Sequence, residues 1–402
     1  MLINAINDPL LGQLSDSTDR DKWGSRRLIY IKYGGPIWAF TFLLIWFPWS
    51  YTNQFTIFLH YTLSICLFDT FLTLVVMVWM ALLPEMTMDT DERNKANFLS
   101  LIFGVVAVAP FLGLTAELKT TSESFRVLMI VIAILSMVCL LLVSAWCEER
   151  PEFQRDQTFN LSTSIKETIK LKSFQVFIAY NFCNVFLINL GISYLFVYSL
   201  VLTGDSSTSI LGFLVIYLIV GYGSQFLCIK LRPKWGMRKV ILRFGILKVI
   251  GTSLFFVIML APGFEWMIWI AFMWLTFFGG YGVFTTGGLM YLSVDEDEIK
   301  HGFRREGMFL GINALFTKPA NSLAPILATF ILVSFGYVQG SNFQTPLALH
   351  GIKILFLLVP TMVSAVGLLA FYFYPLHGER LTQLKDKLKI LHEKKKKKAQ
   401  AP

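Results

Sequence analysis

Charge is what this sequence has least of. Asp, Glu, Lys and Arg make up 15% of its 402 residues, against about a quarter in soluble domains. Whole stretches carry none, among them "GGPIWAFTFLLIWFPW", "VLMIVIAILSMVCLLLVSAW" and "FLLVPTMVSAVGLLAFYFYP". Each approaches the roughly 20 residues with which an α-helix crosses a hydrocarbon core. Such runs recur to the end of the chain, which excludes a soluble core and reads as an all-α polytopic membrane protein. Metal-ligand spacing is missing too. The five histidines form no H-E-x-x-H pair. Cys66, Cys139, Cys147, Cys183 and Cys228 lie in or beside apolar spans with no C-x-x-C, and read as small buried hydrophobes. No nucleophile–base pairing stands out to carry enzyme chemistry, and no cofactor is expected.

Full spans are expected at 28–49, 55–84, 97–117, 124–147, 173–203, 208–231, 239–261, 264–294, 303–336 and 346–374, with a partial one at 1–15. Alternate connections differ in charge. One set holds Arg20, Lys22, Arg26 and Arg27, then Arg93 and Lys95, Lys230 through Lys239, Arg304 and Arg305, and finally a lysine-rich tail. The opposite set ("SYTNQ", "TGDSST", "APGFEW", "GYVQGSNFQTP") has no Lys or Arg, apart from Lys119 and Arg126 around "TTSES". The positive-inside rule makes the first set, and the C-terminus, cytoplasmic in a plasma-membrane protein. The net charge of +9 follows from this asymmetry and needs no nucleic-acid partner.

Two segments echo at nearly the same offset. "KWGSRR" (22–27) returns as "KWGMRK" (234–239), and "MDTDER" (88–93) as "VDEDEI" (294–299), offsets of 212 and 206 residues. Two similar helical halves explain this: 1–147, a linker at 148–172, and 173–374, with a basic tail at 375–402. Parallel repeats of this kind build major facilitator transporters. Two spans precede the second echo but only a fragment precedes the first, so the first half is expected to lack a helix and a half.

Some ionisable groups fall at membrane depth. Asp8 lies about eight residues before the polar loop, roughly 12 Å into the membrane, with Asn4 one turn away on the same face. Asp69 and Lys318 fall near the middle of their spans. Each charge costs a few kcal/mol at least unless it faces inward and finds a partner. Either a static ion pair locks the helices, or these groups mark a cation site (Asp8, Asn4, Asp69, the only position suggested for a Na⁺) and a coupling or substrate residue (Lys318). Trp79 and Tyr281 are aromatic candidates for stacking on a solute. Lys32, Arg243, Lys248 and Lys353 are within reach of helix ends and are expected to snorkel. Pro9, Pro110, Pro319 and Pro325, with Gly104, Gly279, Gly280, Gly287 and Gly288, are expected to interrupt spans, kinks that merely fit packing being the alternative for each. On the charged side, Asp16, Arg26 and Arg27, and in the second half Asp295, Arg304, Arg305 and Glu306, suggest a gate of salt bridges. Solvated loop charge is the alternative. The tail from Leu381 starts as a short amphipathic helix and ends in lysines suited to anionic headgroups.

Together these residues resemble the glycoside–pentoside–hexuronide:cation symporter family. The resemblance rests on "NAINDPLLGQLSDSTDRDKWGSRR", "ALLPEMTMDTDER" and "DEDEIKHGFRREGMFLGINALFTKPA", which occur in family order. It implies a major facilitator fold of twelve helices in two pseudo-symmetric bundles, about ten full spans and one partial span of them here. It also implies Na⁺- or H⁺-coupled uptake, with Asp8 matching the cation-binding aspartate and Lys318 the functional lysine of the eleventh helix. Asn4 matches a position that is acidic in melibiose permease. Val76 stands where many sugar-carrying members have a polar or acidic residue, and "CLFDTF" resembles a stretch of the sodium-dependent lysophospholipid symporters. The expected function is therefore cation-coupled symport of a sugar or glycoside-type small molecule across the bilayer. A lysolipid or other amphiphile symporter, or a non-transporting receptor or scaffold on the same fold, is the alternative. Oligomeric state leaves no mark in the sequence.

Overall fold

The structure, a computed structural model, describes residues 2–87, 89–116, 122–149, 159–203, 217–338 and 344–400. Among these residues every regular element is helical. Before the linker come α1 (Leu2–Asp16), α2 (Leu28–Trp46), α3 (Gln54–Met86), α4 (Thr90–Ala116) and α5 (Glu123–Trp146). The linker carries α6 (Leu161–Lys170). After it come α7 (Lys172–Thr203), α8 (Tyr222–Trp235), α9 (Met237–Met259), α10 (Ile268–Phe277), α11 (Tyr291–His301), α12 (Glu306–Ser334), α13 (Pro346–Lys353) and α14 (Val359–Tyr372). A tail helix, α15 (Glu379–Gln400), closes the chain. Eight segments among the described residues are long and apolar enough to cross a membrane. Of the span expected at 208–231, residues 208–216 lie outside the described residues.

Local chemistry sets several helix starts. The side chains of Asn53, Ser122, Asn160 and Thr345 each accept the backbone N–H three residues on, opening α3, α5, α6 and α13. The two echoed loops turn alike: Gly24 has φ 79° and Gly236 φ 77°, a backbone region open to glycine and costly for other residues. Apolar side chains point outward, as Val127, Val131 and Leu135 do on α5, while Asp8, Arg26, Arg27 and Arg304 are buried. This inversion is what a lipid solvent demands.

Helices α2, α3 and α5 pack together, as do α7, α12 and α14, while α1 lies along α12 from across the linker. That last contact depends on glycine. A Cβ on Gly12 would strike the Gly307 carbonyl, and one on Gly311 the Asp8 backbone, the close approach that small residues permit in membranes.

Three expectations need correction. Pro9, Pro319 and Pro325 sit inside unbroken helices, because neighbouring helices can tolerate one missing hydrogen bond. The break falls at the glycines instead, where a 3-10 turn at Gly280–Val283 and a π turn at Thr285–Met290 separate α10 from α11. There Gly280 presses on Ser224, whose hydroxyl donates to the Phe277 carbonyl. Lys248 and Lys353 do not snorkel. Both are buried, Lys353 donating to the Met259 carbonyl at 2.7 Å and Lys248 facing the Tyr281 ring at 5.9 Å. All five cysteines are free, Cys228 buried but Cys139 exposed.

A buried ion pair and an adjoining charge lattice

The close approach of α1 and α12 brings two intramembrane charges together. Lys318 Nζ lies 2.9 Å from Asp8 Oδ1 and 2.8 Å from Oδ2. Asp8 is fully buried, whereas the lysine side chain is 26% exposed, so the pair opens on the lysine side. Asp69 on α3 is near enough for its charge to bear on Asp8, and its Oδ2 is buried without a hydrogen bond. Beside it, Asn7 Nδ2 donates to Thr70 Oγ1 at 3.2 Å and ties α1 to α3. The site therefore sets two carboxylates against one ammonium. A negative charge left over when all three ionise is what a proton or monovalent cation would neutralise. Asn4 lies on α1, but its side chain falls outside the described residues.

Trp79 and Tyr281 do not join Lys318. Trp79 lines a separate cavity of about 370 Å³ with Met80, Asn97, Cys147 and Tyr291. Tyr281 is 2% exposed in the core between α8 and α9. Helical spacing along one chain does not reveal which bundle face an aromatic lines.

At the charged end of α1 a lattice crosses between the helices before and after the linker. Arg27 reaches Glu85 at 2.6 Å, Glu306 at 2.8 Å and Asp16 at 3.0 Å. Asp16 also accepts the Gly307 and Met308 N–H groups at 3.0 and 2.8 Å, capping α12 from another element. Arg26 donates to the carbonyls of Asp16 at 2.7 Å and Arg304 at 3.1 Å. Arg304 holds Asp295 at 3.1 Å and Glu298 at 2.6 Å and also pairs with Glu306. Further along, Arg93 pairs with Asp295 at 3.5 Å and Arg232 with Asp91. Burial works to lower the Arg27 pKa, yet Glu85, Glu306 and Asp16 hold it well above the ordinary value. The apolar run of α3 ends at Pro84. Just past it, burial pushes Glu85 up to about 7 despite Arg27, with Glu306 adding to the rise.

Arg305 departs from its expected place. Adjacent side chains diverge, and it turns from Arg27 to Asp297, at 2.6 and 3.0 Å, and to the Ser164 carbonyl at 3.2 Å. It thereby pins α6. On that helix Glu167 is held down to about 2 by hydrogen bonds from Lys170 and Lys300. The tail differs as well. Leu384 and Leu388 are buried, and His392 and Lys395 reach Glu298 at 2.8 and 2.9 Å. Its apolar face is thus spent on the protein, leaving Lys385, Lys387 and Lys389 exposed.

Sequence reasoning missed Glu85, Glu149 and Glu298. Glu149 accepts the Arg26, Arg27 and Leu28 N–H groups at 2.9, 2.7 and 2.7 Å, capping α2 from the end of α5. The available signal was position: each is an acid just beyond or within the last turns of an apolar run.

Two helical groups joined by a linker, with charge buried between them, are the architecture of a secondary transporter. The chain belongs to the MFS/sugar transport protein family, which it matches over residues 1–378, a family of membrane transporters and not of enzymes. It is 24% identical to transmembrane protein 180 of Gallus gallus, covering 96% of this chain and 85% of that one. It is 25% identical to the uncharacterized symporter YnaJ of Bacillus subtilis, covering 94% and 82%. Among solved structures it resembles the MFS transporter FucP in its outward conformation, with TM-score 0.65, 11% identity and coverage of 92% and 86%. It also resembles the proton:xylose symporter XylE, with TM-score 0.61, 15% identity and coverage of 93% and 85%.

Proposed function

We propose that this protein is a cation-coupled symporter of sugar-type solutes, of the glycoside–pentoside–hexuronide:cation type. The observation that carries this reading is the Asp8–Lys318 pair beside Asp69. With the site empty, Lys318 neutralises Asp8. A Na⁺ or H⁺ that binds Asp8, with Asp69 and Asn4 completing its shell, frees the ammonium to meet an oxygen of the solute. Cation and solute then favour the same conformation, which is coupling in the thermodynamic sense. The lattice around Arg27 is the cytoplasmic gate, closed here, and the tail lies on the same side of the plasma membrane. The relative YnaJ, an uncharacterized symporter by name, is consistent with this reading. Trp79 and its apolar cavity favour a second reading, in which the solute is an amphiphile.

The test is uptake into proteoliposomes. An imposed inward Na⁺ or H⁺ gradient should drive accumulation of a labelled sugar above equilibrium, and Asp8→Asn should retain no gradient-driven component. Accumulation of a lysolipid but of no sugar would select the second reading. Equal uptake by the parent and Asp8→Asn under both gradients would refute coupling at this site.

A further inference from the structure

Two amide pairs join α7 to α12 in the same register. Asn181 Nδ2 donates to Asn313 Oδ1 at 2.9 Å, and Asn189 Nδ2 to Asn321 Oδ1 at 2.8 Å. The second pair lies eight residues further along both helices, so α7 and α12 run parallel and in step for about 12 Å. Phe186 and Leu190 packed with Ala320 and Ala324 hold that register.

The two pairs differ in access. Asn181 is 8% exposed, whereas Asn321 is exposed and Asn189 half-buried. Asn189 Nδ2 is committed twice, to Asn321 and to the Val185 carbonyl at 2.8 Å. Its own carbonyl takes no hydrogen bond among the described residues, and neither N–H of Asn321 gives one. A paired amide therefore presents a free acceptor beside a free donor, both fixed in direction by the pairing. Asn321 follows Lys318 by three residues, so it stands on the adjoining turn of the same helix face.

We propose that the Asn189–Asn321 pair is the specificity-determining contact for two neighbouring hydroxyls of a neutral sugar-type solute. This rests on the symporter reading above. A hydroxyl both gives and accepts hydrogen bonds. One therefore donates to Asn189 Oδ1 while its neighbour accepts from Asn321 Nδ2. Lys318, once released from Asp8, supplies a third contact. A carboxylate there accepts from Asn321 but has no hydrogen to give the Asn189 carbonyl, so it forfeits the contact that a hydroxyl makes. An alkyl chain would leave both amides desolvated and unpaired, which costs more than never burying them.

The test uses the full chain in detergent, at saturating Na⁺ and separately at low pH, with solute-induced thermal stabilisation as the readout. The solutes are hexoses, pentoses, their monodeoxy analogues and a hexuronate. A neutral sugar should stabilise the parent, and Asn321→Ala and Asn189→Ala should each weaken its apparent affinity by roughly 10- to 100-fold while keeping the cation response. The deoxy analogue that lacks the contacting hydroxyl should bind the parent and Asn321→Ala equally weakly. Asn321→Gln, which keeps the amide but moves it, covers the case in which alanine unfolds the protein, and should shift the ranking of the sugars. Wild-type sugar affinity and ranking in all three variants would overturn this inference alone. A parent that responds to a cation but to no sugar would overturn the solute class of the symporter reading and this inference with it.

Discussion

At the scale of single residues, Arg27 and Asp8 occupy opposite kinds of site. Arg27 meets three carboxylates, so neutralising one of them leaves the guanidinium paired. Burial raises both Asp16 and Glu85, and it is Glu85 that is held up near 7. Its folded pKa lies above the unfolded value, so the stability it contributes is full below about pH 4.5 and fades as pH rises through 7. Glu85→Gln removes that dependence. Its melting temperature relative to the parent should therefore rise between pH 5 and 7, read by a fluorescence melt in detergent; a constant difference would place the titration elsewhere. Asp8, by contrast, has one cationic partner and a carboxylate neighbour. Both ends of that pair were legible in the sequence, because a charge inside an apolar run is conspicuous. The pairing itself was not legible, since 310 residues separate the partners. Lys248 was misjudged for a related reason: distance along a helix measures depth, while burial depends on which neighbours cover that face.

At the scale of elements, the α1–α12 contact decides whether Lys318 can reach Asp8. Gly307 lies under the Gly12 carbonyl with Asp16 beside it. Gly307→Leu should force the helices apart and cost about 1–3 kcal/mol, visible as a lower melting temperature together with a weakened cation response. An unchanged melt would mean that the helices do not need this approach. The tail helix offers a second check. Leu384→Asp with Leu388→Asp should detach α15 and raise amide exchange across α11, where Glu298 loses His392 and Lys395; unchanged exchange would show that α15 stays docked without them. The apolar runs announced most spans, and the glycine cluster announced the break after α10. The prolines did not behave as breakers, because packing within the bundle outweighs one lost backbone bond.

At the scale of the whole molecule, the echoed loops supply the clearest long-range reading. Gly24 and Gly236 take the same turn, and the two copies of the acidic motif contribute Arg93 and Asp295 to one cross-linker pair. What repeats could not reveal is how the halves are fastened. The bonds of Arg27 with Glu306, and of Asp16 with the start of α12, run between segments almost 300 residues apart. Arg27→Gln leaves three buried acids short of a partner, at a cost of about 3–5 kcal/mol. It should speed hydrogen exchange at residues 12–16 and 306–312, the two sides of the proposed gate. Parent-like protection there would mean that the lattice is not what holds this side shut.

The central claim is that Asp8, opposed by Lys318, binds the coupling cation, and a melting titration of the purified chain against Na⁺ and against pH tests it most directly. A bound cation stabilises in proportion to its occupancy. In a Glu85→Gln background, which removes the pH response of that carboxyl, the otherwise unchanged chain should gain stability with one of the two ions. Asp8→Asn should lose that gain, as should Asp8→Asn/Lys318→Gln, which leaves no unpaired ammonium to confuse the melt. An ion response of undiminished size in the Asp8/Lys318 variant, or none in the Glu85→Gln background itself to either ion, would contradict the account.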